Sequence, residues 1–365
     1  MTTQRYQPDN VDRMLFRVVE ETFAAEPWRA SAPVVVINDV TGALSSWAVD
    51  RALNVRFVQD SAGLADAQAA VTGQVASGPS VEVLAGASTV IYRLARPLEA
   101  LEELAWHIAR WAADDVMLLA GQLQRHLNFS LNAVLESAFA EVSASRGYYK
   151  ARALRAQQPR QLTGDTPLRI PRKNVVSVAS QRLELRAYGL TFGAARLDPG
   201  TQLLLETLAE SDWDQLCPGK TVVDLGCGNG TIATAVAQAT DGLHIIATDD
   251  SASAVQSTTA TLAANGIEHV QVLHQSGLRE LSDHSVDVVL LNPPFHDGTA
   301  LTGDIARFLF SEAARVLQPR GVLYTVFNAS RGYSSHLVEL VGPTEQLARD
   351  KRFIVTRSQK VKTDV

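Results

Sequence analysis

Two kinds of hydrophobic run alternate along the chain. Residues 33–38 and 116–120 are short and mostly apolar, as are 221–225, 243–249, 270–273, 286–291 and 321–327, and each predicts a strand, with 56–60 and 90–94 as further strand candidates. Between them apolar residues recur at helical spacing. Leu98, Leu101, Leu104, Ala105, Ile108 and Ala112 share one face, and Leu123, Leu127, Leu131, Val134, Leu135 and Phe139 another. Residues 232–239, 252–264 and 304–317 also read as helices, the last turning Ile305, Phe308, Leu309 and Val316 to the core. A final strand is expected at 351–356. Strands alternating with helices predict an α/β protein built on mostly parallel sheets covered on both faces.

A chain of 365 residues exceeds one ordinary core. Two domains are expected, 1–180 and 181–365. The first strand of the leading half is followed by Asp39-Val40-Thr41-Gly42, a turn with one glycine, where a nucleotide-binding turn usually needs several. Asp39 reads as a turn or capping residue, and this half as a domain that binds no cofactor.

The second half carries the chemistry. Its strand at 221–225 contains Asp224, and the loop that follows holds Gly226, Gly228 and Gly230, letting backbone pass close to a ligand. A carboxylate at a strand end suits a cationic sulfonium and ammonium better than an anionic dinucleotide. The next strand ends in Asp249, 25 positions after Asp224, the spacing at which a carboxylate reaches ribose hydroxyls. After the third strand Gln275-Ser276 stand where an Asp or Asn would usually accept an adenine amino group. The strand at 286–291 runs into Asn292-Pro293-Pro294-Phe295-His296. Two prolines end it and hold the preceding backbone extended. This corner presents an amide, a carbonyl at Pro293 and an aromatic face, a combination suited to gripping a flat ring that bears an amino group. Before all of this, Asp198-Pro199-Gly200-Thr201 opens a helix, with Thr201 its expected N-cap.

Composition narrows the classes. With 46% hydrophobic residues, 20% charged and a net charge of −6, the chain reads as a globular cytoplasmic protein. The polar residues 1–13 read as neither signal nor transit peptide, and no apolar run approaches the roughly 20 residues that cross a bilayer. Cys217 and Cys227 form no CxxC pair, and no metal site is expected. The most basic stretch includes Arg146, Tyr148, Tyr149, Lys150, Arg152, Arg155 and Arg160. Two readings stay open for it: a surface that neutralises phosphates and stacks unpaired bases, or a hairpin whose tyrosines pack on the sheet.

Residues 222–230 together with Asp249 resemble the class I S-adenosylmethionine-dependent methyltransferases. The Asn292-Pro-Pro-Phe295-His296 corner, the stretch from Leu197 to Gln202 and Asn328 are similar to the bacterial ribosomal RNA guanine-N2 methyltransferases. Residues 34–45 resemble the large-subunit more than the small-subunit enzymes. The resemblance implies two tandem Rossmann-like methyltransferase folds, the N-terminal one degenerate and serving RNA recognition or structure. It implies methylation of a guanine N2 amine in 23S rather than 16S rRNA, on naked RNA or an early assembly intermediate, by a monomer. Asn292, Pro293 and Phe295 would then be catalytic. Asp224, Gly226, Gly228, Gly230, Asp249, Ser276 and Asn292 would hold S-adenosylmethionine, and Tyr148, Tyr149, Lys150, Arg152 and Arg155 would meet RNA. Three alternatives remain: a protein glutamine-N5 methyltransferase, a DNA adenine-N6 methyltransferase (both usually with Tyr where Phe295 stands), and a catalytically silent RNA-binding or assembly factor.

Overall fold

The computed structural model describes residues 7–161, 170–211, 213–294 and 300–361. The chain forms two compact units, Met1–Ile170 and Pro171–Val365.

The first unit opens with α1 (Asn10–Ala25), capped by Asp9, followed by β1 (Val34–Ile37), α2 (Ala43–Asp50), β2 (Val55–Val58) and α3 (Ala62–Thr72). A short α4 (Val81–Leu84), β3 (Thr89–Arg93), α5 (Leu98–Trp111) and β4 (Met117–Leu123) come next. The helix expected to run from Leu123 to Phe139 is shorter. Asn128 accepts the N–H groups of Ser130 and Leu131 and starts α6 at Phe129, and the helix ends at Ala138. Leu123 stays in β4, while Phe139 begins β5 (Phe139–Ala144), the partner of β6 (Ala151–Pro159). The sheet order is β2-β1-β3-β4-β6-β5, with the first four strands parallel and β6 and β5 antiparallel.

At the carboxyl end of this sheet, where a doubly wound fold ordinarily opens to its ligand, the protein's own side chains meet. Arg93, at the tip of β3, forms ion pairs with Asp9 and with the buried Asp12 of α1. Thr41 donates to Asp12 at 2.8 Å, and the buried Asp39 accepts both the N–H and the hydroxyl of Ser45 at 2.7 Å.

The second unit begins with an antiparallel hairpin, β7 (Arg172–Val178) and β8 (Gln181–Ala187). The division between units therefore precedes the expected boundary at 180, which would have cut this hairpin at its turn. The main sheet is built from β9 (Thr221–Leu225), β10 (His244–Asp249), β11 (Val270–His274), β12 (Val286–Leu291), β13 (Leu317–Asn328), β14 (Thr344–Arg349) and β15 (Phe353–Gln359). Its order is β11-β10-β9-β12-β13-β15-β14. This repeats the plan of the first unit with one more strand, β11, at the edge. Helices α7 (Pro199–Ser211), α8 (Thr231–Ala239), α9 (Ala252–Ala264), α10 (Ala300–Val316) and α11 (Ser334–Leu340) cover its faces. Apolar residues alternate between the two faces, Val222, Val288 and Leu290 to one core, Val223, Leu225, Val289 and Leu291 to the other.

Helix α9 is attached to β8 in an unusual way. Ser257, Thr261 and Asn265 accept the backbone N–H groups of Tyr188, Arg186 and Glu184 at 2.9–3.0 Å, and Thr261 and Asn265 donate back to the carbonyls of Arg186 and Glu184. Four helical residues rise about 6 Å and two strand residues about 6.6 Å, so a polar residue at every fourth position of the helix meets every second residue of the strand.

Among the described residues no helix is long and apolar enough to cross a membrane, and no cluster of His, Cys, Asp or Glu has metal-binding spacing.

Candidate active site

Neighbouring β10 and β12 flank β9, and the chain's crossovers diverge there. A crevice forms at such a switch point beyond the carboxyl ends of the strands. A cavity of about 390 Å³ occupies it, lined by the glycine loop, Asp249, Gln275, Ser276, Asn292 and Pro293.

The glycine loop has the backbone its sequence predicts. Gly226, Gly228 and Gly230 all have positive φ. At Gly230 a Cβ would lie 2.9 Å from the Cα of Thr258, so a side chain there would drive α9 away from the loop. Thr258 donates to the Gly228 carbonyl at 3.1 Å and fastens the loop from behind. Asn229 holds the other flank, its amide donating to the carbonyls of Ala194 and Arg196 at 2.9 Å.

Asp249 lies at the tip of β10, and its two oxygens accept Gly228 N–H at 3.0 Å and Ser251 N–H at 2.9 Å. Asp224 is placed differently from expectation. It is 1% exposed and does not line the cavity. One oxygen accepts Ala233 N–H at 2.9 Å, bracing the first turn of α8, and the other is buried without a partner among the described residues. Gly230, too, shapes the loop without lining the cavity.

Burial pushes the Asp224 carboxyl up to about 7, against the Ala233 N–H that favours its ionised form, and the nearby Asp249 charge adds to the rise. Between its ordinary value of 3.8 and about 7, the folded chain keeps this proton and the unfolded chain does not. The stability it contributes is present below pH 4 and lost as pH rises through 7. Asp224→Asn, which keeps the acceptor for Ala233, is expected to melt higher relative to wild type at pH 8 than at pH 5. Thermal unfolding of both proteins across that range tests it, and a pH-independent difference would reject the raised value.

The corner after β12 is set by a link across 94 residues. The Asn292 amide nitrogen donates to Asp198 Oδ2 and to Thr201 Oγ1, each at 2.9 Å. A carboxylate only accepts hydrogen bonds, so the amide must turn its nitrogen toward Asp198. The Asn292 carbonyl oxygen is left without a partner among the described residues. Asp198 also accepts Thr201 N–H at 2.9 Å. Asp198 is therefore the cap of α7, and the expectation that Thr201 plays this part is corrected. Pro199 takes the first helical position, where a missing N–H costs nothing. Pro293 is buried beside Asn292. Phe295 and His296 lie outside the described residues.

Several lining residues were not singled out by the sequence reading. Ile305 and Phe308, assigned above to the core, are 47% and 45% exposed and line the cavity, as does Phe192 at 48%. Val316 is in the core as expected and Leu309 packs against it, while the rest of the core-facing stripe of α10 is Ala306, Phe310 and Ala313. Small alanines, weak in a hydrophobic pattern, take positions that the expected stripe gave to Ile305 and Phe308.

Against known families, residues 183–357 match the Methyltransferase small domain and residues 7–160 the RLMG N-terminal domain. Ribosomal RNA large subunit methyltransferase G of Pseudomonas syringae pv. tomato is 31% identical over 365 residues, covering 96% of this chain and 93% of the relative. The chain belongs to the ribosomal RNA large subunit methyltransferase G family. The Pseudomonas putida (strain W619) and Streptomyces coelicolor members are 32% and 33% identical, covering 93% and 74% of this chain and 91% and 71% of theirs. The T. thermophilus 16S rRNA N2 methyltransferase RsmC, solved with AdoMet and guanosine, shares the fold. Its TM-score is 0.81 at 21% identity, with 98% of this chain and 93% of that one covered.

In this member of the methyltransferase G family the cavity fits S-adenosylmethionine on its own chemistry. The glycine loop brings bare backbone at Gly226 and Gly228 to the cavity wall, and Asp249 offers carboxylate oxygens at the tip of β10. Gln275 adds a detail. It is fully buried, and its carbonyl oxygen already accepts Glu280 N–H at 2.8 Å, so its unpartnered Nε2 is a donor. A donor suits a ring nitrogen of adenine, and Ser276, whose hydroxyl can both donate and accept, lines the same cavity.

Proposed function

We propose that this protein transfers a methyl group from S-adenosylmethionine to the exocyclic N2 amine of a guanine in large-subunit ribosomal RNA. The observation that carries this reading is the locked amide of Asn292. An acceptor oxygen, fixed by two hydrogen bonds on the far side of its amide and set beside Pro293 at a proline-stiffened corner, is what a weakly nucleophilic amine requires.

The guanine N2 lone pair is delocalised into the ring. The Asn292 carbonyl would accept one of its hydrogens and the Pro293 carbonyl the other, drawing electron density onto nitrogen and stabilising the positive charge that develops there. S-adenosylmethionine, when bound, supplies an electrophilic methyl group. Asp249 and Ser276 would orient the donor, while Phe192 and Phe308 at the cavity mouth offer apolar faces to an extruded base. The proton can leave to water after transfer, so no strong base is needed. A catalytically silent assembly factor would have no use for this lock.

For RNA contact we assign Tyr149, Lys150 and Arg152, all exposed on the β5–β6 hairpin. Tyr149 and Lys150 form its two-residue turn, both with positive φ, a conformation that non-glycine residues adopt only under constraint. Arg155 is half-buried behind them. Tyr148 is withdrawn from the set. Its hydroxyl donates to Glu21 at 2.6 Å, Arg17 lies 4.6 Å from its ring centre, and it packs against the core of the first unit. Gln124 N–H donates to the Lys150 carbonyl at 2.9 Å, which brings the exposed Arg125 and the 91%-exposed Phe129 to the same end of the sheet. We take the protein to act in the cytoplasm as a monomer, on naked RNA or an early assembly intermediate.

The test is methyl transfer from labelled S-adenosylmethionine to deproteinised 23S and 16S rRNA, with the modified nucleotide mapped by mass spectrometry. A single N2-methylguanine in 23S rRNA is expected. Tyr149→Ala with Lys150→Ala should raise KM for RNA about tenfold, as losing roughly 1–3 kcal/mol of stacking and one phosphate contact would, and leave cofactor affinity unchanged. Label in protein or adenine, or none, overturns the reading.

A further inference from the structure

We infer that the four residues Asp198, Pro199, Gly200 and Thr201 form a positioning device that aims Asn292, and that Asp198 and Thr201 set the rate of methyl transfer through it. The inference rests on the proposed role of Asn292 as acceptor for the guanine amine.

Each residue of the four has a part the geometry makes visible. Asp198 supplies an oxygen that cannot donate, so it fixes which end of the Asn292 amide faces it. The same oxygen accepts Thr201 N–H and is thereby itself held in place. The 7%-exposed Thr201 supplies the second acceptor, so both amide hydrogens are engaged and the amide cannot rotate without breaking two bonds. Pro199 starts α7 with a preset φ, bringing Thr201 one turn above Asp198. Gly200 makes room: a Cβ there would lie 3.0 Å from Asp198 Oδ2 and 3.3 Å from the Phe353 ring. A side chain at 200 would push on the carboxylate oxygen that Asn292 uses.

Were Asn292 free to flip, it would turn its NH2 group toward the substrate amine, donor against donor, for part of the time. The lock removes that state. Its negative charge, one amide away from the reacting nitrogen, also favours the positive charge that develops there. Asp198 thus acts through Asn292 and is a positioning residue.

Capping α7 is a competing, purely structural role for Asp198, and the variants are chosen to separate the two. Thr201→Val keeps the backbone N–H that Asp198 accepts and removes only the hydroxyl. It should lower kcat about tenfold with unchanged Tm, cofactor Kd and KM for RNA, and Thr201→Ser should restore it. Asp198→Ala should lower kcat 30-fold or more, yet less than twofold further when Asn292 is already Ala. If Thr201→Val keeps full kcat, or if Asp198→Ala costs as much with Ala at 292 as without, the inference fails. A readout independent of activity is the NMR signal of the Asn292 side-chain amide. Its two hydrogens should be protected from exchange in wild type and lose protection in Asp198→Ala, and unprotected hydrogens in wild type would overturn the lock. A wild-type protein that shows the protected amide but methylates no guanine supports the lock and refutes the functional reading.

Discussion

Asn292→Ala is expected to lower kcat for methyl transfer by 100-fold or more while leaving the S-adenosylmethionine Kd within about threefold of wild type. The size follows from removing one preorganised polar group aimed at developing charge, which costs about 2.7–4 kcal/mol in comparable sites. The selectivity follows from the structure, where the Asn292 amide is bonded to Asp198 and Thr201 and to nothing in the glycine loop. Asn292→Asp should be no better. It would set a second carboxylate against Asp198 and offer no hydrogens to it. Single-turnover transfer with labelled cofactor and calorimetric cofactor titration measure the two quantities. More than a tenth of the wild-type rate in the alanine variant would show that the corner is not the acceptor.

Asp249→Ala should have the converse signature. Its carboxylate accepts two backbone N–H groups, one from the glycine loop and one from the turn into α9. Hydrogen bonds to a charged acceptor contribute about 1.5–3 kcal/mol each. Losing them frees Gly228 as well as removing the oxygens offered to the ribose. The cofactor Kd is expected to rise at least about 100-fold, with the folded state retained because Asp249 is at a loop edge and not in the core. Calorimetry and circular dichroism decide this, and a Kd within threefold of wild type would move the ribose elsewhere.

Local chemistry was readable from the chain, and distant pairing was not. The glycine loop, Asp249 at its strand tip and the proline corner each declare themselves within a dozen residues, because strand and turn are made by neighbours in the chain. The Asp198–Asn292 bond joins residues 94 apart, and nothing at either end names the other. Asp198-Pro199-Gly200 did mark a helix start, but an Asp and a Thr three residues apart compete for the cap, and only the fold assigns one to the cap and the other to Asn292. Asp224 misled for a related reason: a carboxylate at a strand end looks the same in sequence whether it faces a ligand or the helix behind it. Phe129 was hidden by a hydrophobic pattern that runs on through Leu123 and Leu127, across the Asn128 cap that interrupts it. Alternation of elements predicted two α/β sheets correctly, since burial on both faces leaves an unbroken apolar run in each central strand. The expected boundary at 180 falls in the turn of the hairpin that starts the second unit and so leaves β7 with the first. The hairpin's strands are held by hydrogen bonds to each other and to α9 and by Leu183, Leu185 and Ala187 packing with Ala195, Leu205 and Ala235, a short alternation that does not name the unit it joins.

The side-chain ladder between α9 and β8 has a consequence for solubility. A two-stranded hairpin outside a larger sheet exposes a row of unpaired backbone groups, the usual nucleus for edge-to-edge association. On its inner side β8 presents no such row at Glu184 and Arg186. Thr261 and Asn265 satisfy donor and acceptor in turn, as a neighbouring strand would. The helix behaves there as a strand that cannot be extended, because its own backbone is already hydrogen-bonded and offers nothing to a further chain. Replacing the buried Thr261 by a β-branched apolar residue of the same size would keep the packing and leave the Arg186 N–H and carbonyl unpaired beneath α9, weakening the cover over that edge.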